Sequence, residues 1–152
     1  MKNTIIILFI LGLVKIASAT QYTSNVISGN WNDIASWSPS GIPGVNDTVT
    51  IINGHTITLN ANTSCTMLTL NSGGKLTIGA FNFSCSGTTT LNDTIRITST
   101  TGTKTFNHVI LNTNGTFYTT ATEASAITGN LTFNGGTING TATGIFNVSG
   151  KL

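Results

Sequence analysis

Side chains able to do acid–base or nucleophilic chemistry are scarce in this sequence. There are four carboxylates, Asp33, Asp47, Asp93 and Glu123, two histidines, His55 and His108, and two cysteines, Cys65 and Cys85. Cleaving a glycan on a β-scaffold needs paired carboxylates in a groove, or a Lys or Arg base beside calcium. The carboxylates here do not pair. A Pro/Gly loop separates Asp33 from Asp47, and Asp93 has Arg96 near it around a turn, the arrangement of a solvated surface pair. Asp47 is placed to accept backbone N–H groups at the start of a strand. His55 follows the Asn53-Gly54 turn toward solvent, and His108 precedes Val109 on a strand, so two lone histidines argue no triad. The run Ser72-Gly73-Gly74-Lys75 lacks the first glycine of a phosphate loop and any helix after it. No catalytic, cofactor-binding or metal-ligating set is expected, and no enzyme.

Two pairs remain. Cys65 and Cys85 have no neighbouring histidine, which makes them a poor metal set. They are either a disulfide or two buried thiols. Trp31 and Trp37 stand close together among the turn formers Asn30, Asn32, Asp33 and Ser36. Paired indoles either cover the open end of a core or offer stacking faces to sugar rings.

The elements that hold these residues follow from periodicity. No stretch after residue 19 keeps the apolar spacing of a helix. Residues 38–46 carry Pro39, Gly41, Pro43 and Gly44 and form a loop. Then Val49, Ile51, Ile57 and Leu59 alternate with threonines around Asn53-Gly54, which predicts strands near 48–52 and 55–59. Beyond them a unit recurs: LTLNSGGKLTI (68–78), TTLNDTIRI (89–97), VILNTNGTFY (109–118) and LTFNGGTING (131–140). Its asparagines, Asn71, Asn92, Asn112 and Asn134, recur at a nearly constant interval. Such a period is one turn of a right-handed parallel β-helix, an all-β solenoid of about 20–22 residues per coil with a tryptophan-containing N-terminal cap. Leu68, Leu70, Leu91, Ile110 and Phe133 are expected inside, and the asparagines either stack their amides from coil to coil or take the left-handed conformation at a corner. The separation of Cys65 and Cys85 matches the same period, so they fall at equivalent places on adjacent coils. An antiparallel sandwich of hairpins is the rival architecture.

Residues 1–19 read as a signal peptide: Lys2, an apolar run over 4–14, and the small-residue motif Ala17-Ser18-Ala19. Lys15 cuts the run short of a membrane span, so no transmembrane segment is expected after cleavage. The domain plan is therefore a leader over 1–19, cap and loop over 20–46, and β-helix repeats over 47–152. Without the leader, Lys75, Arg96, Lys104 and Lys151 balance Asp33, Asp47, Asp93 and Glu123. A neutral chain with no basic patch lacks the long-range attraction that nucleic-acid binding requires. Threonine, the commonest residue, suits strands and keeps an outward face wet without charge.

The stretch GNWNDIASWSPSGIPGVNDTVTIINGHTITL, followed by CTMLTLNSGGKLTI, resembles an N-terminal module of large secreted bacterial surface proteins, many exported by type IX secretion. It is also distantly similar to the eight-glycine domain of animal extracellular proteins. Trp31, Trp37, Pro43, Gly44, Asp47, Val49, Ile51, Gly54, Leu68, Leu70, Gly73, Gly74 and Leu76 carry the likeness, over residues 28–78. The resemblance implies a secreted or cell-surface protein with structural or adhesive roles and no transferable catalytic residues. Its partners would be extracellular glycans or surface proteins. Such modules usually precede a C-terminal sorting domain, and the repeats here stop in mid-unit, so a truncated gene or a fragment of a longer protein is expected. The alternative is a piece of a carbohydrate-active β-helix enzyme, lyase or hydrolase, with its groove in later coils, or a glycan-binding module.

Overall fold

The structure is a computed structural model that describes residues 18–120, 125–140 and 146–151. Nearly all of the expected leader, and Glu123, lie outside these residues. β-Branched segments cut by Asn, Gly and Asp turns give short strands, and no α-helix forms among the described residues. The chain opens with β1 (Gln21–Ser24) and β2 (Ser28–Asn30), a 3-10 turn at Ile34–Ser36, and the two-residue β3 (Trp37–Ser38). β4 (Thr48–Ile51), β5 (Thr56–Thr58) and β6 (Thr63–Cys65) make the next circuit, and the first two match the strands read from alternation. β7 (Met67–Leu70), β8 (Lys75–Ile78) and the long β9 (Phe83–Leu91) come next, followed by β10 (Thr94–Ile97) and the equally long β11 (Lys104–Asn112). β12 (Thr116–Thr119), β13 (Ser125–Ile127), β14 (Leu131–Asn134), β15 (Thr137–Gly140) and β16 (Phe146–Val148) complete the order.

These strands stack in parallel from coil to coil, making a parallel β-helix of about four turns rather than a sandwich of hairpins. One wall holds β1, β4, β7, the second half of β9, the second half of β11, and β14. A second wall runs β2, β5, β8, β10, β12, β15. The third runs β6, the first halves of β9 and β11, β13 and β16. β9 and β11 therefore turn a corner mid-strand, and their register shifts between Phe106 and His108. The ladders already include β1 and β2, which lie inside the segment expected to be cap and loop.

In-register pairing puts like side chains over one another. Ile51, Leu70, Leu91 and Leu111 form one inward column, and Ile57, Leu76, Ile95 and Phe117 another; all are fully buried. Each such side chain contributes about 1.5–3 kcal/mol when removed from water. Rings also touch along the axis: Trp37 on Trp31, Trp31 on Phe83, Phe83 on Phe106 and Phe106 on Phe117, with centroids 5.1–5.7 Å apart.

Two expected core residues need correction. Ile110 points outward, between Thr90 and Thr132, while Val109 and Leu111 point inward. Three successive apolar residues hide the phase there, whereas the strict alternation of Leu68 and Leu70 fixes it two coils earlier. Phe133 does occupy an inward position, over Leu111, but is 48% exposed because no coil covers it among the described residues.

The repeated asparagines form the expected amide stack, with one exception. Asn134 Nδ2 donates to Asn112 Oδ1 (3.0 Å) and Asn112 Nδ2 to Asn92 Oδ1 (2.8 Å). Asn92 Nδ2 then donates to the Leu70 carbonyl (3.0 Å) and not to the exposed Asn71 amide. The turn at Asn71 closes through Gly73, whose φ of +82° favours glycine; a Cβ there would also collide with the Asn53 amide.

Candidate functional site

Among the described residues the aspartates are engaged with the backbone. Asp47 Oδ1 accepts from Thr20 N–H and Oδ2 from Gly44 N–H, both at 2.8 Å, so it caps the first coil as expected. Asp93 Oδ2 accepts from Gly73 N–H on the coil below (2.9 Å) and Oδ1 from Thr94 N–H (2.8 Å). The expected Asp93–Arg96 pair does not form: the Arg96 guanidinium lies over the Tyr118 ring, 5.4 Å from its centroid. Asp33 caps the 3-10 turn by accepting from Ala35 N–H. A strand with period two explains the Asp93 result, since residue 93 sits at the turn and residue 96 faces outward on the second wall.

The tryptophans are interior. Trp31 and Trp37 are each 1% exposed, and they meet edge to face. Trp31 Nε1 donates to the Pro43 carbonyl (3.2 Å), and Trp37 Nε1 to the Trp31 carbonyl (2.8 Å). No indole face is left for a sugar ring, which removes the glycan-contact reading of this pair. The indoles are large apolar bodies whose single polar group needs a partner, and the loop carbonyls supply it.

His55 does not simply face water. Its Nδ1 shares a hydrogen bond with Ser24 Oγ (2.9 Å), and that oxygen also accepts from Ile52 N–H (3.0 Å). The pair superficially matches a nucleophile and its base. Ser24 is 2% exposed, however, and its oxygen is committed to the backbone, so it ties β1 to the turn after β4. His108 Nδ1 accepts from Asn130 N–H (2.9 Å), a similar coil-to-coil link.

Cys65 and Cys85 are Cα partners on β6 and β9 and are carried as free thiols, both buried. The Cys85 thiol donates to the Thr66 carbonyl (3.4 Å), and the closeness of the two thiols is the main influence on both. It raises the Cys65 thiol well above its usual range, with burial adding to the rise. It lowers Cys85 to about 7, against the effect of burial, with help from the Thr89 hydroxyl and the Gly87 and Leu68 N–H groups. Thr89 stands in an otherwise aliphatic column, between Leu68 and Val109, and its Oγ1 is buried without a hydrogen-bond partner.

Sequence reasoning missed Lys104 altogether. It is 1% exposed, and its ammonium donates to the carbonyls of Ser99, Thr101 and Gly102. The signal was parity: residues 104 and 106 share a face, and Phe106 is inward.

An open surface groove of about 290 Å³ lies on the outward face of the second wall, lined by Thr56, Lys75, Leu76, Thr77, Thr94 and Arg96. The outward rows there are Thr56, Lys75, Thr94, Thr116 and Thr137, and beside them Thr58, Thr77, Arg96, Tyr118 and Asn139. On the first wall an outward row reads Thr23, Thr50, Thr69, Thr90, Ile110 and Thr132. Where threonines stack directly, as from Thr23 to Thr90, they present hydroxyls at the coil spacing of about 4.8 Å. Among the described residues no three metal-ligating side chains come together.

The fold and these surfaces define a parallel β-helical solenoid whose polar side chains largely hold coils to one another. No family model, curated protein or solved structure matches the chain.

Proposed function

We propose that the chain is a secreted or cell-surface structural and adhesive solenoid module without catalytic activity of its own. The outward run of Thr23, Thr50, Thr69 and Thr90 on four successive strands carries this reading. A stack of in-register coils is rigid, so its hydroxyls are held in place before a partner arrives, which lowers the ordering cost of binding. Glycan hydroxyls are the complementary chemistry. The engagement of Asp33, Asp47 and Asp93 with backbone N–H groups supports a non-catalytic role. Co-sedimentation with insoluble neutral polysaccharides, alongside an assay for released reducing ends and unsaturated products, tests it. Binding without product is expected; product release would overturn the reading.

A second reading, a fragment of an enzyme acting on polysaccharides or a glycan-binding module, draws on the groove. There Lys75 and Arg96 line one opening on neighbouring strands, with Tyr118 beside Arg96. Under that reading an acidic glycan such as polygalacturonate binds, and Lys75→Gln with Arg96→Gln removes the binding.

A further inference from the structure

We propose that Cys65 and Cys85 form a cross-linking site, at which a disulfide joins β6 to β9 and staples two successive coils. The co-reactant is of the disulfide class, a small-molecule disulfide or a disulfide-carrying oxidoreductase.

Geometry carries this. The two residues are Cα partners in a parallel ladder, where strands lie about 4.8 Å apart. That spacing falls within the roughly 4.4–6.8 Å that a disulfide tolerates. In register, both side chains project to the same inward side of the ladder, where each is at most 1% exposed. The ladder needs no change of register to close the bond.

The surroundings also assign roles. Near the Cys85 sulfur lie the Cys65 thiol, the Thr89 hydroxyl, and the Gly87 and Leu68 N–H groups, each of which favours its anion; as a thiol it donates to the Thr66 carbonyl (3.4 Å). Such a set stabilises an anion. It gives the buried, unpartnered Thr89 hydroxyl a purpose in a column otherwise filled by Leu68, Val109 and Leu131. Cys85 is therefore the attacking thiolate and Cys65 the resolving thiol. In the first step the Cys85 thiolate bonds to one sulfur of the co-reactant, whose S–S bond breaks and releases a thiolate. In the second, Cys65 gives up its proton and attacks the Cys85 sulfur, breaking the mixed disulfide and releasing the second thiolate. Two protein thiols are oxidised, one external disulfide is reduced to two thiols, and the two protons go to them.

Both residues are at most 1% exposed. Trp31 packs on Phe83 two residues from Cys85, and Thr63 on β6 donates to the Pro43 carbonyl of the cap loop (3.5 Å). The exchange therefore belongs to the chain before the cap closes over β6.

The test is to refold the reduced protein in a buffer of oxidised and reduced glutathione, quench with acid, alkylate in denaturant, and map peptides without reduction. A protein with no alkylated thiol is expected, about 2 Da lighter than the reduced form through loss of two hydrogens, with one peptide pair joining Cys65 to Cys85. Its thermal midpoint should fall by roughly 10 °C on reduction, from the loss of a loop constraint. The same glutathione buffer added to already folded, reduced protein should form the bridge at least tenfold more slowly. Thr89→Val should slow bridge formation at neutral pH in the refolding reaction. Two alkylated thiols in a refolded protein with an intact β-sheet circular dichroism spectrum would overturn the proposal, as would bridges found only between molecules. The mapping needs no cysteine variant, so a variant that fails to fold cannot mask the result.

Discussion

Leu70 and Phe133 stand in the same inward column of the first wall, yet Leu70 is fully buried and Phe133 is 48% exposed. The difference lies in their neighbours. At the N-terminal end of the described residues β3 pairs with β1 in the opposite direction and ends the parallel ladder of the first wall, and Trp31 and Trp37 are buried beside it. Asp47 fastens that closure through Thr20 and Gly44. At β14, pairing to the coil below is complete, but the next coil reaches it only at its start, where Leu131 N–H donates to the Lys151 carbonyl (2.9 Å), and β15 and β16 present strand edges on their other side among the described residues. In a solenoid, then, a residue's burial depends on the coil stacked on it as much as on its own polarity.

The largest effect should come from the closed end. Trp31→Ala should cost about 3–5 kcal/mol in urea unfolding, from lost packing and the cavity left behind. Phe133→Ala at the other end, where no cavity closes over the ring, should cost under about 1 kcal/mol, and equal costs would erase the contrast. Asp47→Ala comes next, at about 2 kcal/mol, because two backbone donors lose a charged acceptor. Asp33→Ala, at the exposed 3-10 turn, should cost well under half of that. In the middle of the stack, Asn112→Ala should cost about 1 kcal/mol, since one amide bridges Asn92 and Asn134. A cost no larger than for Asn71→Ala, which lies outside the amide stack, would show that the stack contributes little.

The smallest effect is one of pH, in the reduced protein. Cys85 titrates at about 7 in the folded chain, below its ordinary value of 9.0. The unfolded chain therefore holds that proton more tightly than the folded one, and stability rises as pH goes from about 7 to 9. Cys65 has the opposite shift, so its contribution is fully present below its ordinary value of 9.0 and is lost at higher pH. Denaturation midpoints across roughly pH 6–10 should rise and then fall, and Cys85→Ser should remove the rise.

Much of the architecture is legible in the chain because in-register stacking copies a local pattern. The near-constant Asn interval, the inward Leu68 and Leu70, and the backbone-capping Asp47 all follow from alternation and turn chemistry repeated along the chain. Other assignments depend on relations that no local pattern contains. Whether the indoles face a core or a sugar turns on the path of the loop to Pro43. That Asp93 reaches Gly73 one coil below, rather than Arg96 beside it, requires the stacking register. At Lys104 residue type argues for the surface and parity for the interior, and only the carbonyls gathered around its ammonium decide between them.

The sequence alone determined the repeat, its length and the residue types that could line a core, since these depend on backbone geometry and side-chain polarity at fixed spacings. Tertiary structure decided which side chains met. Only the stacking of β6 on β9 brought Cys65 to Cys85 and placed the Thr89 hydroxyl beside them, because contact between residues a whole coil apart is made by the ladder between coils and not by the chain within one.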